Sequence, residues 1–330
     1  MNRRTRWLIA SWLLIAAACV PPVAWAQVPV LGEVSLKDAL ASGDPEDIEA
    51  AEPTPGVPRG RGGSEALAFD GTYIWVARQF ADEVVRLNAG NGGHAGTFAV
   101  GRHPVAVLHA PSGIWVANVR DNTVTKLQPS DGAVLGTFPV GEAPGALVSD
   151  GRNVWVANRG SNTVMKLGPN GRVLLTVEVG RRPIGLAFDG AHVWVTNNKS
   201  DTVTKVRARD GAVLGTFPVG DAPFGIAFDG ANVWVANYFG GSVMKVRARD
   251  GAVLGAFPVG DGAAGVAFDG ANVWVTSNAT NTVRALRAAD GALVATYATG
   301  HRPYQVVHDG SNIWLANSGG DSVSTSMWVR

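Results

Sequence analysis

The chain has 330 residues, 46% of them hydrophobic, 17% charged and 42 of them glycine, with 28 basic against 27 acidic side chains and a formal net charge of +1. This near-balance excludes the basic footprint of non-specific nucleic-acid binding, and the apolar content excludes a disordered chain. So much glycine suits an ordered fold with many tight turns.

The first predicted element is a secretory signal. Arg3, Arg4 and Arg6 make a positive start, and Trp7 to Val20 is an apolar run too short to span a bilayer comfortably. Pro21-Pro22 ends it, and Ala24-Trp25-Ala26 reads as a cleavage site before Gln27. Cleavage there removes three arginines and no acids, leaving 25 basic against 27 acidic residues, a charge of −2. It also removes Cys19, the single cysteine, and with it any disulfide, zinc–thiolate, iron–sulfur or haem-attachment site. The rival reading is a lipoprotein acylated at Cys19 after Ala16-Ala17-Ala18; the Arg3-Arg4 pair lacks most of a twin-arginine context. The expected location is periplasmic or secreted, with no transmembrane segment after cleavage.

Residues 27–63 form an acidic leader, with Glu33, Asp38, Asp44, Glu46, Asp47, Glu49 and Glu52 interrupted by Pro45, Pro53, Pro55 and Pro58. A short helix is expected near Ser35–Ala41. Val30-Leu31-Gly32-Glu33-Val34 is similar to the strand text Val213-Leu214-Gly215-Thr216-Phe217, so this segment is a candidate for a closing strand.

From residue 64 onward one stretch occurs seven times. Its anchor is a tryptophan between apolar, mostly β-branched residues: Trp75, Trp115, Trp155, Trp194, Trp234, Trp274 and Trp314, spaced 40, 40, 39, 40, 40 and 40 apart. Each copy holds four short strands, read in the fourth as Pro183–Asp189, Val193–Asn197, Thr202–Arg207 and Ala212–Val219, with Asp189-Gly190 and Asp210-Gly211 as hairpin signals. No helical period runs through any copy. The V-W-V-A strand is apolar on both parities, so each sheet must be covered on both faces. A closed ring satisfies this: an all-β, seven-bladed β-propeller of four-stranded antiparallel blades over residues 64–330. A linear β-solenoid is the alternative, with normally shorter repeats. Burying each indole removes roughly 150–250 Å² from water, worth up to about 4–6 kcal/mol, so the tryptophans read as core. The seventh copy ends after about three strands, which leaves an outer position for the leader.

The Asp-Gly turns share one rim, where Asp150, Asp189, Asp229, Asp269 and Asp309 read as turn residues bonding their own backbone. The opposite rim varies among otherwise near-identical copies, and specificity is expected there. Its candidate ligand- or partner-binding residues are Arg102, His103, Arg120, Arg159, Arg181, Arg182, Lys199, Tyr238, Phe239, His301, Arg302 and Tyr304. Arginines around a shared mouth can clamp a carboxylate or phosphate, whereas an exposed Tyr238-Phe239 pair on a flat rim favours a protein partner. Tyr304 and Gln305 replace the Ile-Gly or Phe-Gly of other copies. The asparagine closing the second strand (Asn118, Asn158, Asn197, Asn237, Asn317) reads as a turn cap. His109 and His308 occupy the slot of Phe188, Phe228 and Phe268 and read as packed rings. No metal-binding histidine spacing, Walker loop, G-x-S-x-G or Rossmann fingerprint occurs, and no cofactor site is marked.

With P-x-G-[IL]-A-F-D-G, [VI]-W-V-A-N, T-V-x-K-[VL] and F-P-V-G, residues 64–330 resemble the YVTN-repeat β-propeller family, close to NHL-repeat propellers, with tryptophan in place of the naming tyrosine. The resemblance implies a secreted or periplasmic propeller presenting one rim to a ligand or partner. More distant is the resemblance to virginiamycin B lyase-type propellers, which open a cyclic ester by elimination. Their repeats favour W-F-T-E, and their site joins carboxylates, histidine and magnesium. Here the strand ends read W-V-A-N or W-V-T-N, without that glutamate or a matching His/Glu group. The expected function is therefore non-catalytic binding of a small anionic ligand or a protein partner by a monomer, with the lyase as the alternative.

Overall fold

The computed structural model describes residues 28–36 and 63–328; the expected signal segment and most of the acidic leader lie outside them. Seven four-stranded antiparallel sheets follow one another as a β-propeller. Blade 4 consists of Pro183–Phe188, His192–Asn197, Thr202–Arg207 and Val213–Pro218, paired as a simple meander from inner to outer strand. The other complete blades repeat it. Inner strands of neighbouring blades contact one another around the whole ring, including blade 1 against blade 7.

The local cause is visible in blade 5. Asp229 accepts the backbone N–H groups of Ala231 and Asn232 on Oδ1, at 2.9 and 2.6 Å, and the Trp234 indole N–H on Oδ2 at 2.8 Å. Gly230, at φ +98°, supplies the left-handed residue that the turn requires. One aspartate thus fixes the turn and orients the core indole together, a link the turn reading alone leaves out. Blade 2 lacks the aspartate, and Ser112 accepts the Trp115 indole at 3.1 Å instead. Six of the seven indoles are fully buried, and Trp274 is half-buried.

Blades are joined by repeated devices. Lys205 lies over the Trp194 ring, 5.2 Å from its centroid, and donates to the Ala248 carbonyl of the next blade at 2.7 Å. Lys126, Lys166 and Lys245 do the same one blade on. On the other rim, Asp82, Asn122, Asn162, Asp201 and Asn281 each accept the backbone N–H of a left-handed residue in the next inter-blade connection: His103, Ala143, Arg182, Ala222 and Arg302, at 2.7–2.9 Å. The buried second-strand asparagines donate to third-strand hydroxyls, as Asn118 does to Thr123 and Thr125. They hold two strands together, where a turn cap was expected.

Blade 7 contributes three strands, Pro303–His308, Ile313–Asn317 and Ser322–Thr325, and Gly32–Ser35 pairs antiparallel with the last of them. Leu31, Val34 and Leu36 are buried in this seam. Ser35 closes the N-terminal strand and Leu36 is helical; the remainder of the helix expected near Ser35–Ala41 lies outside the described residues. Arg78 of blade 1 adds a second fastening: it ion-pairs with Asp321 of blade 7, its Nε 2.9 Å from Oδ1, and with Glu83.

Candidate functional site

The inner strands converge on a central channel, and all seven carry an irregularity at the same place. In blades 1 to 4 the pairing with the second strand skips one residue: Glu65, Val105, Gly145 and Ile184. In blades 5 to 7 the irregular stretch is two residues, Phe224-Gly225, Ala264-Gly265 and Tyr304-Gln305. A bulge re-aims the extra side chain, and here it supplies the wall of a cavity of about 230 Å³.

All seven inner strands line that cavity, together with Gln79 and Arg159 from the loops after the second strands of blades 1 and 3. Part of the lining is polar: Glu65 from blade 1, Arg159 from blade 3, and Tyr304 and Gln305 from blade 7. Another part is apolar: Ile184, Phe224, Ile226 and Val266. Phe224 makes a T-shaped contact with Tyr304 at 5.1 Å between centroids and tilts against Tyr238 at 5.9 Å. Gly225 permits the close approach of inner strands, because a Cβ there would lie 2.2 Å from the Ala264 carbonyl oxygen. Gly145 leaves the space over which Arg159 lies; a Cβ there would be 3.4 Å from Arg159 Cδ. Gln305 is held rigidly, its Oε1 accepting the Leu67 N–H at 2.7 Å across the seam between blades 7 and 1.

The polar groups are differently placed. Among the described residues the Glu65 carboxyl, the Arg159 guanidinium and the Tyr304 hydroxyl make no hydrogen bond to protein. Their charges nevertheless act on one another. Burial raises the Glu65 carboxyl to about 7, against the smaller opposing pull of Arg159 and Arg302. Burial lowers the Arg159 guanidinium, with Tyr304, Arg182 and Glu65 acting on it more weakly. Burial, then Glu65, pushes the Tyr304 phenol up. His103, beside Gln79 and edge-on to Phe80 at 5.6 Å, is lowered by burial and by Arg120 and Arg159.

Of the residues expected on the variable rim, Arg159 and Tyr304 line the cavity, and Tyr238 backs its aromatic lining. Arg102, Arg181, Arg182 and Arg302, the arginines that a clamp would use, do not line it. Their connections lie outside the bulged positions. Arg102 is engaged by Asp121, whose carboxylate accepts both its backbone N–H and its Nε–H at 2.6 Å. Arg181 donates to the Lys199 carbonyl at 2.9 Å. Arg182 and Arg302 act on the cavity at longer range. Arg120, Lys199, His301 and Phe239 are exposed, Phe239 by 72%. Glu65 was not among the expected residues. Its signal was present: it occupies the slot of Val105, Ile184 and Phe224 in the aligned repeat text.

No family model matches the sequence, and no curated protein matches it. Solved structures with the same fold do. Hydrazine synthase of Kuenenia stuttgartiensis superposes with a TM-score of 0.72 at 17% identity, over 83% of this chain and 98% of that one. A virginiamycin B lyase from Staphylococcus aureus, solved as a catalytically inactive form with quinupristin, gives 0.71 at 15% identity, over 80% and 94%. A streptogramin B lyase gives 0.71 at 16% identity, over 85% and 97%. At these identities the likeness is one of fold.

Proposed function

We propose that the protein is a non-catalytic binding propeller, exported to the periplasm or beyond as its YVTN-like repeats imply, and that it takes a small anionic ligand in the central cavity. The single observation behind this is the Arg159 guanidinium, which lies over Gly145 and lines a half-enclosed cavity of mixed polar and apolar character, with no protein acceptor of its own. A partly buried cation without a partner is left short of solvation, and a ligand carboxylate or phosphate supplies the missing acceptor. Arg182 and Arg302 add positive potential at the mouth. The small volume favours a small molecule over a polypeptide segment.

Calorimetric titration of the mature protein with acetate, phosphate and 3-phenylpropionate near pH 6 tests this. At least one anion is expected to bind, the aromatic carboxylate most tightly, with the affinity lost in Arg159→Gln. Equal binding by wild type and Arg159→Gln, or none by any anion, removes the reading.

A second reading, lyase chemistry of the kind for which two of the structural neighbours are named, has one observation in its favour. Glu65 is a carboxyl poised near neutrality in an enclosed site, as a general acid or base needs to be. Against it, the described residues hold no group of three or more His, Asp or Glu side chains able to bind a metal. No histidine hydrogen-bonds to Glu65. Incubation with virginiamycin B followed by mass spectrometry separates the two readings. Ring opening that disappears in Glu65→Gln supports the lyase, and intact substrate supports the binder.

A further inference from the structure

The cavity presents two unpartnered groups of opposite sign, Glu65 from blade 1 and Arg159 from blade 3, beside one aromatic and aliphatic wall. A purely anionic ligand satisfies Arg159 and leaves an ionised Glu65 facing a like charge. A purely cationic ligand does the reverse. Only a ligand carrying both charges close together satisfies both groups, because an unmatched buried charge opposes binding more than a matched one favours it. The remaining wall, Phe224, Ile184, Ile226 and the Tyr304 ring, asks for a flat apolar body, and the volume of about 230 Å³ limits that body to one ring or a branched chain.

We infer that the ligand belongs to the class of small zwitterions with an aromatic or branched apolar side chain, the free α-amino acid being its simplest member, with its carboxylate on Arg159, its ammonium on Glu65 and its side chain against Phe224. This rests on the binding reading above and narrows it. The Tyr304 hydroxyl and the Gln79 amide complete the polar lining as uncharged hydrogen-bonding groups.

The arrangement carries its own pH dependence. Around Glu65 stand Arg159 from blade 3, Arg302 and Tyr304 from blade 7, and beyond them His103 from blade 2, which Arg159 holds down. Glu65 changes charge near neutrality, its carboxyl lying at about 7 because it is buried. A ligand ammonium needs it ionised, so affinity rises with pH, by roughly eightfold between about pH 6 and about pH 7.5. A ligand with a carboxylate alone prefers Glu65 protonated, and its affinity falls over the same range.

The test is calorimetric titration of the mature protein with L-phenylalanine, 3-phenylpropionate and 2-phenylethylamine at both pH values. L-Phenylalanine is expected to bind about tenfold more tightly than either single-charge analogue near pH 7.5, as one charge-assisted hydrogen bond implies. Its affinity is expected to rise with pH. The isosteric Glu65→Gln should abolish that rise and cost L-phenylalanine about tenfold while sparing 3-phenylpropionate; Arg159→Gln should lose both. If 3-phenylpropionate binds as tightly as L-phenylalanine near pH 7.5, the zwitterion assignment falls and the anion-binding reading stands. If none of the three binds, the assignment also falls, and the anion titrations decide the broader reading separately.

Discussion

Both carboxylate oxygens of Asp229 are occupied, one by two backbone N–H groups of its turn and one by the Trp234 indole. Removing them strands an indole N–H inside the blade and loosens the turn. Asp229→Ala should therefore destabilise by roughly 2–4 kcal/mol, measured by denaturant unfolding, whereas Asp229→Ser should recover part of the loss because Ser112 plays the same role in blade 2. Glu65 has the opposite energetic character. Burial raises its carboxyl from an ordinary 4.5 to about 7, so between those values the folded chain binds more protons than the unfolded one. Stability contributed by the neutral form is thus present below pH 4.5 and is lost as pH rises through 7, at most roughly 3 kcal/mol. Scanning calorimetry should show the wild-type Tm falling from about pH 5 to about pH 8 relative to that of Glu65→Gln. A wild-type curve parallel to that of the variant would contradict the burial of this carboxyl.

At the scale of elements, the strand Gly32–Ser35 is short, yet it pairs with Ser322–Thr325 and completes the four-stranded seventh blade. Leu31, Val34 and Leu36 each bury a whole side chain there. At about 1.5–3 kcal/mol apiece, their loss amounts to roughly 5–9 kcal/mol. Deleting residues 28–36 from the mature chain should lower Tm by on the order of 10 °C or more. An unchanged Tm would mean that the pairing adds nothing. The outer strands of blades 2 to 6 behave differently. Their leading aliphatic pairs, Val-Leu as in Val213-Leu214 or Leu293-Val294 in blade 6, are about half exposed. Replacing both by threonine should change stability by less than about 0.5 kcal/mol.

For the whole molecule the governing fact is closure. Each blade contacts its two neighbours, so the ring has one seam, between blades 7 and 1, held by the N-terminal strand, by Arg78 with Asp321, and by Gln305 with Leu67. Opening that seam should not melt every blade equally. In a chain with nearest-neighbour contacts the disturbance decays with distance along the array. Hydrogen exchange on the variant lacking residues 28–36 should show protection lost first in blades 1 and 7, with blade 4 last. Uniform loss would argue that the ring opens as one cooperative unit. The cavity depends on the same closure, since Glu65 and Tyr304 flank the seam; weakened seam variants should lose ligand affinity before they lose fold.

The sequence by itself determined the blade count, the four strands of each copy and the buried role of the tryptophans. A 40-residue period, a two-residue alternation and an Asp-Gly turn are all local, and each is repeated until chance is excluded. It also offered Val30–Val34 as a closing strand, because an outer-strand text can be matched wherever it lies in the chain. Of the arginines it put forward, Arg159 lines the cavity. Arg102 and Arg181 look exposed and available in the text, but Asp121 and the Lys199 carbonyl already hold them. Glu65 escaped notice because one acid in one copy carries no motif. Only the tertiary structure brings it into one cavity with Arg159, which is 94 positions away in sequence, since ring closure and the inner-strand bulge together turn residues from blades 1, 3 and 7 toward one half-enclosed space. Local pattern specifies what a blade is; long-range closure decides which of its exceptions meet.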